Sequence, residues 1–482
     1  MPGAHGGYPP DMAALVFPDF ARHGDAEEEL TISDPRTGDV VGTVRCTGDG
    51  ELRQTVDTSR IAQALWEQAP AESRGRLLRE ASDLIAAHAG ELARLTARET
   101  GQSEADARSC ALAGVDALRR FAELGAVHGG RSLAGVSTAS DYTRFEPRGV
   151  AVVLTPWNDP VAVACGLIGA AVVTGNTVIH KPSERAPHTG LRLGRLLSDV
   201  LPPDVVQTVV GGPGVGSRLV GDPLIDVVVH VGSSASGQAV SRLAAVTGAH
   251  VVRANGGNDA LIVDAGLDPR WCAREAAQGA FASSGQLGTA VERIYVHRDI
   301  AEPFIAELAA AAAQLNETGE LAPLVDERMC AHVDEQVQDA VANGARAIVG
   351  GAPSPGPGCG YPATVLVGCT PTMAVMREET FGPVAPVQVV DDFDEALIAA
   401  GNDRYGLSAT VLTSQIAHAE LAIAELQVGS VKINNVFGGA PGASSQPRRD
   451  SGLGFGYGPE LLNELSVAKL VHLAAPGGRA SA

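Results

Sequence analysis

The sequence predicts an α/β protein: a parallel sheet covered by helices on both faces, a second alternating α/β unit, and a small flap. Three observations carry this expectation. Between Gly149 and Gly237 short β-branched runs alternate with helix-length stretches, and turn residues stand at each change of period. Strands alternating with helices form parallel sheets covered on both faces. A chain of 482 residues also exceeds one ordinary hydrophobic core and should divide into two or more domains.

Taken in order, residues 1–29 are rich in Gly, Pro, Ala and charge and read as a mobile tail. Leu30 to Val41 reads as a hairpin turned at Arg36 to Asp39. Helical periodicity runs over Thr55–Gln68, Arg74–His88 and Glu91–Glu99, with Gly101 as a stop, and a long helix follows from Gln102 to Gly125. Ser132 to Phe145 alternates polar and apolar residues, as an edge strand or flap does. The central stretch then gives a strand at Gly149–Thr155, a helix at Val161–Val173 and a strand at Asn176–Lys181. A helix at Gly190–Val200 and strands at Val205–Val210 and Val227–Val231 complete it. Ala260–Val263 opens the second unit. Its further strands are expected at Arg293–Val296, Ala363–Val367, Val384–Val390, Ala409–Leu412 and Ser430–Ile433, with helices at Pro269–Ala282 and Ala301–Leu315. Gly438 to Gly458 is glycine-rich and irregular, and Ser466 to Leu473 is a last apolar strand.

Parallel sheets of this kind bind ligands beyond the carboxyl ends of their strands. The residues there are small and polar: Lys181 and Glu184 after one strand, Gly211, Gly212, Gly214 and Gly216 after the next, Gly232, Ser233 and Ser234 after the third. The last group opens a helix whose free N–H groups can receive a phosphate. A carboxylate such as Glu184 can accept hydrogen bonds from a ribose diol. A glycine-rich turn alone is usually only a turn, so the weight lies in the succession of such ends.

Composition excludes several classes. A net charge of −20 argues against a nucleic-acid partner and an anionic membrane surface. Seven cysteines are scattered without CxxC spacing, which speaks against a disulfide framework or a structural zinc. No apolar run reaches membrane-spanning length, and the N-terminus lacks a signal pattern, so the expected address is the cytoplasm.

Several motifs occur together: Thr155-Pro-Trp-Asn158, Gly175-Asn-Thr177, Lys181-Pro-Ser-Glu184, Gly232-Ser233, Asn255-Gly-Gly257, Gly285-Gln286 and Glu379-Thr-Phe-Gly-Pro383. In order and spacing they resemble the aldehyde dehydrogenase superfamily, over roughly residues 32–473. The resemblance implies a Rossmann-type cofactor domain over 30–131 and 146–255 and a catalytic-type α/β domain over 256–458. It also implies an oligomerisation flap and tail over 132–145 and 459–482, and a homodimer or homotetramer joined through that flap. The implied cofactor is NAD, with Lys181 and Glu184 on the adenosine ribose, Gly232 and Ser233 facing the pyrophosphate, and Gly216 and Trp157 also among the cofactor-binding residues. Glu379 would take the nicotinamide ribose, with Phe381 packed nearby. Asn158 would donate to the oxyanion; the bland alternative is that it caps the helix beginning near Pro160.

The acyl-transfer chemistry of such enzymes needs a thiolate and a base that activates water. Here the pattern departs. Where the family has its cysteine, two residues after Gly-Gln, this chain has Gly288, and the nearest cysteine is Cys272. Where the family has its glutamate, two residues before Gly-Gly, it has Ala254, and Asn255 stands where an apolar residue is usual. Ser445 to Gly452 keeps Ser451-Gly452 and loses the aromatic-Gly-Gly anchor. Asp159 follows Asn158 where an aromatic residue is frequent, which puts either a carboxylate in the substrate tunnel or an aspartate at a helix start. The expected function is therefore an NAD-binding relative that lacks the thioester route. The alternative is direct hydride transfer to or from a small carbonyl or imine substrate. Thr289, Ser283 and Ser284 are poor substitutes, because a hydroxyl without a neighbouring base is a weak nucleophile.

Overall fold

The protein is described here from a computed structural model covering residues 29–137, 139–440 and 442–474. The expected tail therefore lies outside the described residues, except that Glu29 already belongs to the first strand. The chain opens with β1 (Glu29–Ser33) and β2 (Val40–Arg45), the antiparallel hairpin, followed by four helices: α1 (Asp49–Trp66), α2 (Ala71–Ala87), α3 (Ala89–Thr100) and α4 (Glu104–Val127). Gly101 ends α3 with φ +76°, a left-handed stop that glycine takes without a Cβ clash. Then come β3 (Ser132–Leu133), β4 (Ala139–Pro147), β5 (Val150–Leu154), α5 (Pro160–Val173), β6 (Thr177–Lys181) and α6 (Pro187–Ser198). They are followed by β7 (Val206–Thr208), α7 (Pro213–Val220), β8 (Val227–Gly232), α8 (Ser234–Thr247) and β9 (His250–Asn255).

The second series is β10 (Asp259–Val263), α9 (Pro269–Phe281), β11 (Val291–His297), α10 (Arg298–Thr318), α11 (Glu327–Ala342), β12 (Arg346–Val349), β13 (Thr364–Val367) and β14 (Val384–Val390). It continues with α12 (Phe393–Gly401), β15 (Ser408–Leu412), α13 (Ile416–Glu425), β16 (Ser430–Ile433), β17 (Gly452–Leu453), α14 (Leu461–Glu464) and β18 (Ser466–Ala474).

Two large sheets result. The first has order β17-β9-β8-β5-β6-β7, the second β12-β13-β14-β11-β10-β15-β16. Both are parallel apart from β17 and β12 at their edges. Val150–Val153 are fully buried because α5 covers one face of the sheet and α7 and α8 the other, so every position along β5 is apolar. The expected boundary at 255/256 falls at the end of β9, and Gly452–Leu453 returns from the second unit to pair with Arg253 and Ala254. The flap is a third sheet: β18 pairs antiparallel with β4 along its whole length, Ser466 opposite Pro147 through Ala474 opposite Ala139.

The elements expected from periodicity are present with small shifts at their ends. Sequence reasoning missed α7, β9, α11, β12, α12, α13 and the short β17 and α14. β9 reads His-Val-Val-Arg-Ala-Asn, a strand interrupted by residues that serve the site at its end. α11 buries only Val333, Gln336, Val337 and Ala340, so its apolar stripe is short.

Candidate active site

The carboxyl ends of the first sheet meet the loop before β11. Lys181 closes β6, buried, and its ammonium donates to the Pro182 carbonyl at 3.2 Å; burial lowers its pKa, opposed by the nearby Glu184 carboxylate. Glu184 lies 3.7 Å from the exposed Arg328. Gly216, in α7, leaves open the space beside the Lys181 stem, where a Cβ would sit 3.6 Å from Cδ. Gly232 ends β8, and Ser233 caps α8 by accepting from Ser236 N–H at 3.3 Å. Beneath Gly232 lies the His230 ring, so close that a Cβ on Gly232 would touch Nε2 at 3.0 Å. His230 Nδ1 and Arg253 Nε are buried without hydrogen-bond partners, and His230, Arg253 and Lys181 occupy one row across the sheet. Unpaired donors and cations beside a helix N-terminus suit the pyrophosphate of a dinucleotide. The residues present thus fit that cofactor.

Asn158 does not cap the following helix. Its side-chain amide donates to the Gln286 carbonyl at 3.0 Å, and its own carbonyl accepts from the Gln102 side chain. This places the amide on the loop that carries Gly288. That loop is held hard: Gln286 donates through Nε2 to the Pro323 carbonyl at 3.1 Å and accepts from Val325 N–H at 3.0 Å. Before it, Ser283, Ser284 and Gly285 are all left-handed, at φ +50°, +56° and +70°. Two non-glycine residues in that region are strained and persist only where surroundings over-determine them. Ser284 does so by donating to the Ala322 carbonyl at 2.6 Å. At Gly288 a Cβ would meet only Leu407 Cδ2, at 3.7 Å, so a side chain has room there. Ala254, at the end of β9, packs against Gly456; a Cβ on Gly456 would stand 2.6 Å from that of Ala254. Asn255 donates to the Asp450 carbonyl at 3.0 Å and lies under α8 against Gly237.

Trp157 is buried against Phe381, their rings edge to face at 5.9 Å, with the Arg185 guanidinium 5.7 Å over the Trp157 ring. Arg185 is in turn paired with Asp326 at 2.6 Å. Phe381 adopts φ +52°, and the turn bearing it is braced by Glu292, whose carboxylate accepts from Thr380 N–H at 2.7 Å and Phe381 N–H at 3.0 Å. The Glu379 carboxyl lies against the Gly256-Gly257 turn, which only glycine at 256 allows. Burial pushes the Glu379 pKa up to about 8; the Gly257 N–H opposes this and Asp259 adds to it. Burial, then repulsion from Glu379, holds Glu292 well above the ordinary carboxyl range. Glu292 was missed from sequence; the available signal was a Glu-Arg pair inside the apolar run Val291–Val296.

Asp159 occupies the N-cap position of α5, yet its side chain does not cap the helix. It hydrogen-bonds Cys110, and burial raises its pKa to about 6. The other thiols are remote or suppressed. Burial pushes Cys110, Cys272 and Cys369 up to about 12 and Cys359 to about 11, and raises Cys165 and Cys330 as well. Among the described residues no cluster of His, Cys, Asp and Glu is arranged to hold a metal ion.

Comparison with known proteins follows the same lines. The pattern of the aldehyde dehydrogenase family matches residues 22–471. An alpha-ketoglutarate semialdehyde dehydrogenase of Haloferax volcanii is 33% identical over 450 residues, covering 89% of this chain and 93% of its own. An E. coli NADP-dependent enzyme superposes with TM-score 0.89 at 28% identity, covering 93% of this chain and 95% of its own. A betaine aldehyde dehydrogenase variant of Staphylococcus aureus, in complex with NAD+, gives TM-score 0.89 at 26% identity over 94% and 95% of the two chains. Together with the shared fold, these matches show that the chain belongs to the aldehyde dehydrogenase family.

Proposed function

We propose that the protein binds a nicotinamide dinucleotide, with NAD(H) preferred, and does not oxidise aldehydes through a thioester. The observation that carries this reading is the environment of Gly288: a loop fixed by Gln286 and facing Asn158, with open space where a nucleophile would project and no side chain to fill it. No other group takes over. Thr289 is exposed, Ser284 is committed to the Ala322 carbonyl, and burial keeps the Cys110 and Cys272 thiols protonated. At Ala254 a methyl group replaces a water-activating carboxylate, and Gly456 closes against it. Bound dinucleotide would supply or accept a hydride. The chain's own part is to hold it, through Lys181, Glu184, Gly216, Gly232, Ser233, Trp157, Glu379 and Phe381.

Preference for NAD(H) rests on Glu184, whose carboxylate accepts from a ribose diol and repels a 2′-phosphate. Calorimetry with NAD(H) and NADP(H) tests it. The expected result is NAD(H) binding at least tenfold tighter, with Glu184→Gln narrowing the gap by about tenfold, the worth of one charged contact. Equal or tighter NADP(H) binding refutes the placement of Glu184. A second reading, non-covalent hydride transfer to a small carbonyl or imine, is favoured by one observation. The Asn158 amide still faces the Gly288 loop, where it can polarise a C=O or C=N bond. A substrate screen in both redox directions separates the two.

A further inference from the structure

Helix α11 begins beside the turn that follows β6, and four charged side chains of alternating sign join the two. Glu184 and Arg185 belong to the turn, Asp326 and Arg328 to the start of the helix. The inner pair is fixed. Asp326 caps α11 by accepting from Met329 N–H at 2.8 Å, and it holds the Arg185 guanidinium at two points, Nε at 2.6 Å and Nη2 at 3.1 Å. The outer pair is loose. The Arg328 side chain is 70% exposed, and both of its contacts come from Nη2, to Asp326 at 3.2 Å and to Glu184 Oε1 at 3.7 Å. Among the described residues its Nε and Nη1 have no partner. Arg328 also lies outside every motif that carries the family resemblance.

Glu184 is the residue on which the preference for NAD(H) rests, and an exposed ion pair of this length holds Arg328 beside it only weakly. A 2′-phosphate changes the balance at that point. It replaces the hydroxyl from which Glu184 would accept by a group carrying about 1.5 to 2 negative charges, which the carboxylate repels. Accommodating it takes a cation free to turn from the carboxylate to the phosphate. Arg185 is committed to Asp326, and Lys181 is buried with its ammonium on the Pro182 carbonyl. Arg328 has two unengaged nitrogens and the planar fork that suits a phosphate. An arginine near the ribose is a usual means by which a dinucleotide fold accepts that phosphate. We propose that Arg328, from the second α/β unit, is a second determinant of coenzyme choice. It pairs with the 2′-phosphate of NADP(H), so that the protein takes this coenzyme as well, while Glu184 keeps NAD(H) the tighter ligand. This rests on the reading of Glu184 as the adenosine-ribose carboxylate.

The test is calorimetric titration of NAD+ and NADP+ into wild type, Arg328→Gln, Glu184→Gln and the double variant, with melting temperatures measured alongside to report the fold. Arg328→Gln should weaken NADP+ about tenfold, as expected for one charged contact, and change NAD+ by less than about threefold. Glu184→Gln frees Arg328 from its carboxylate and should tighten NADP+; adding Arg328→Gln should remove that gain. Added salt should weaken NADP+ more steeply in wild type than in Arg328→Gln. Three results overturn the proposal: NADP+ affinity unchanged by Arg328→Gln, equal losses of both coenzymes, or no binding of NADP+ to wild type at millimolar concentration. The second of these assigns Arg328 to seating α11 or Glu184. Failure of the underlying cofactor reading shows separately, as absent NAD+ binding or as a ratio of NAD+ to NADP+ affinity that Glu184→Gln leaves unchanged.

Discussion

Restoring the two missing groups is the most demanding test of the proposed function. Gly288→Cys introduces a thiol into open space. Its Cβ would lie 3.7 Å from Leu407 Cδ2, ordinary van der Waals contact, and Gly288 has no left-handed φ, so the backbone accepts the side chain without strain. With no carboxylate at 254 the thiol should keep an ordinary pKa near ~8.5, so about half is thiolate at that pH. Mixed with NAD+ and a small aldehyde at pH 8.5, the single variant should give one equivalent of NADH per subunit and then stall as the thioester. A general base contributes typically ~10²–10⁴-fold. Steady-state turnover of Gly288→Cys alone should accordingly fall at least ~100-fold below that of the double variant with Ala254→Glu. The longer side chain must pass Gly456, which the absence of a side chain there permits. Stopped-flow absorbance at 340 nm reads the burst, and intact-mass spectrometry reads the acyl adduct. Wild-type oxidation at ~1 s⁻¹ or faster, in the range of ordinary enzymes, would refute the reasoning. So would a wild-type adduct on Thr289 or a serine, or a Gly288→Cys variant that binds NAD+ and aldehyde yet gives no burst.

Two further outcomes are expected. Burial holds the His230 pKa down to about 4, against ~6.5 when unfolded, so the unfolded chain binds more protons between those values. The stabilising contribution of neutral His230 is therefore present above pH ~6.5 and lost as pH falls toward 4. His230→Phe should flatten the acid side of the stability curve by up to ~1.4 kcal/mol per pH unit, read by urea unfolding between pH 4.5 and 7; an unchanged slope would show that His230 is not buried neutral. The flap strand β18 exposes Val467, Leu470 and Leu473, at 47%, 65% and 56%, and an apolar edge of this kind is expected to be covered by another subunit. Light scattering should report a dimer or tetramer at micromolar concentration and Leu470→Asp should weaken it; a wild-type monomer would remove the flap from subunit contacts.

What the sequence determined by itself was local in kind. Runs such as Val150–Leu154 and Val384–Val390, bounded by turn residues, declare strands wherever they are read. The succession of Lys181, Gly216 and Gly232-Ser233 after three of them marks the edge where the sequence leads one to expect a ligand. The identities of residues 288 and 254 need no coordinates either, because a glycine and an alanine carry no nucleophile or base in any fold. Tertiary structure alone decided how neighbours in space use their side chains. Asn158 and Asp159 both stand at a helix start, where either could cap; contacts with Gln286 and Cys110, far away in the chain, assign their bonds elsewhere. Glu292 looks like a misplaced charge in an apolar strand until the turn at Thr380 and Phe381 arrives to donate two N–H groups. The closure of Gly456 on Ala254 joins residues some two hundred positions apart. Periodicity reports which face of an element is buried; it carries no information on which distant group will meet that face, because that is set by how the two sheets and their loops pack.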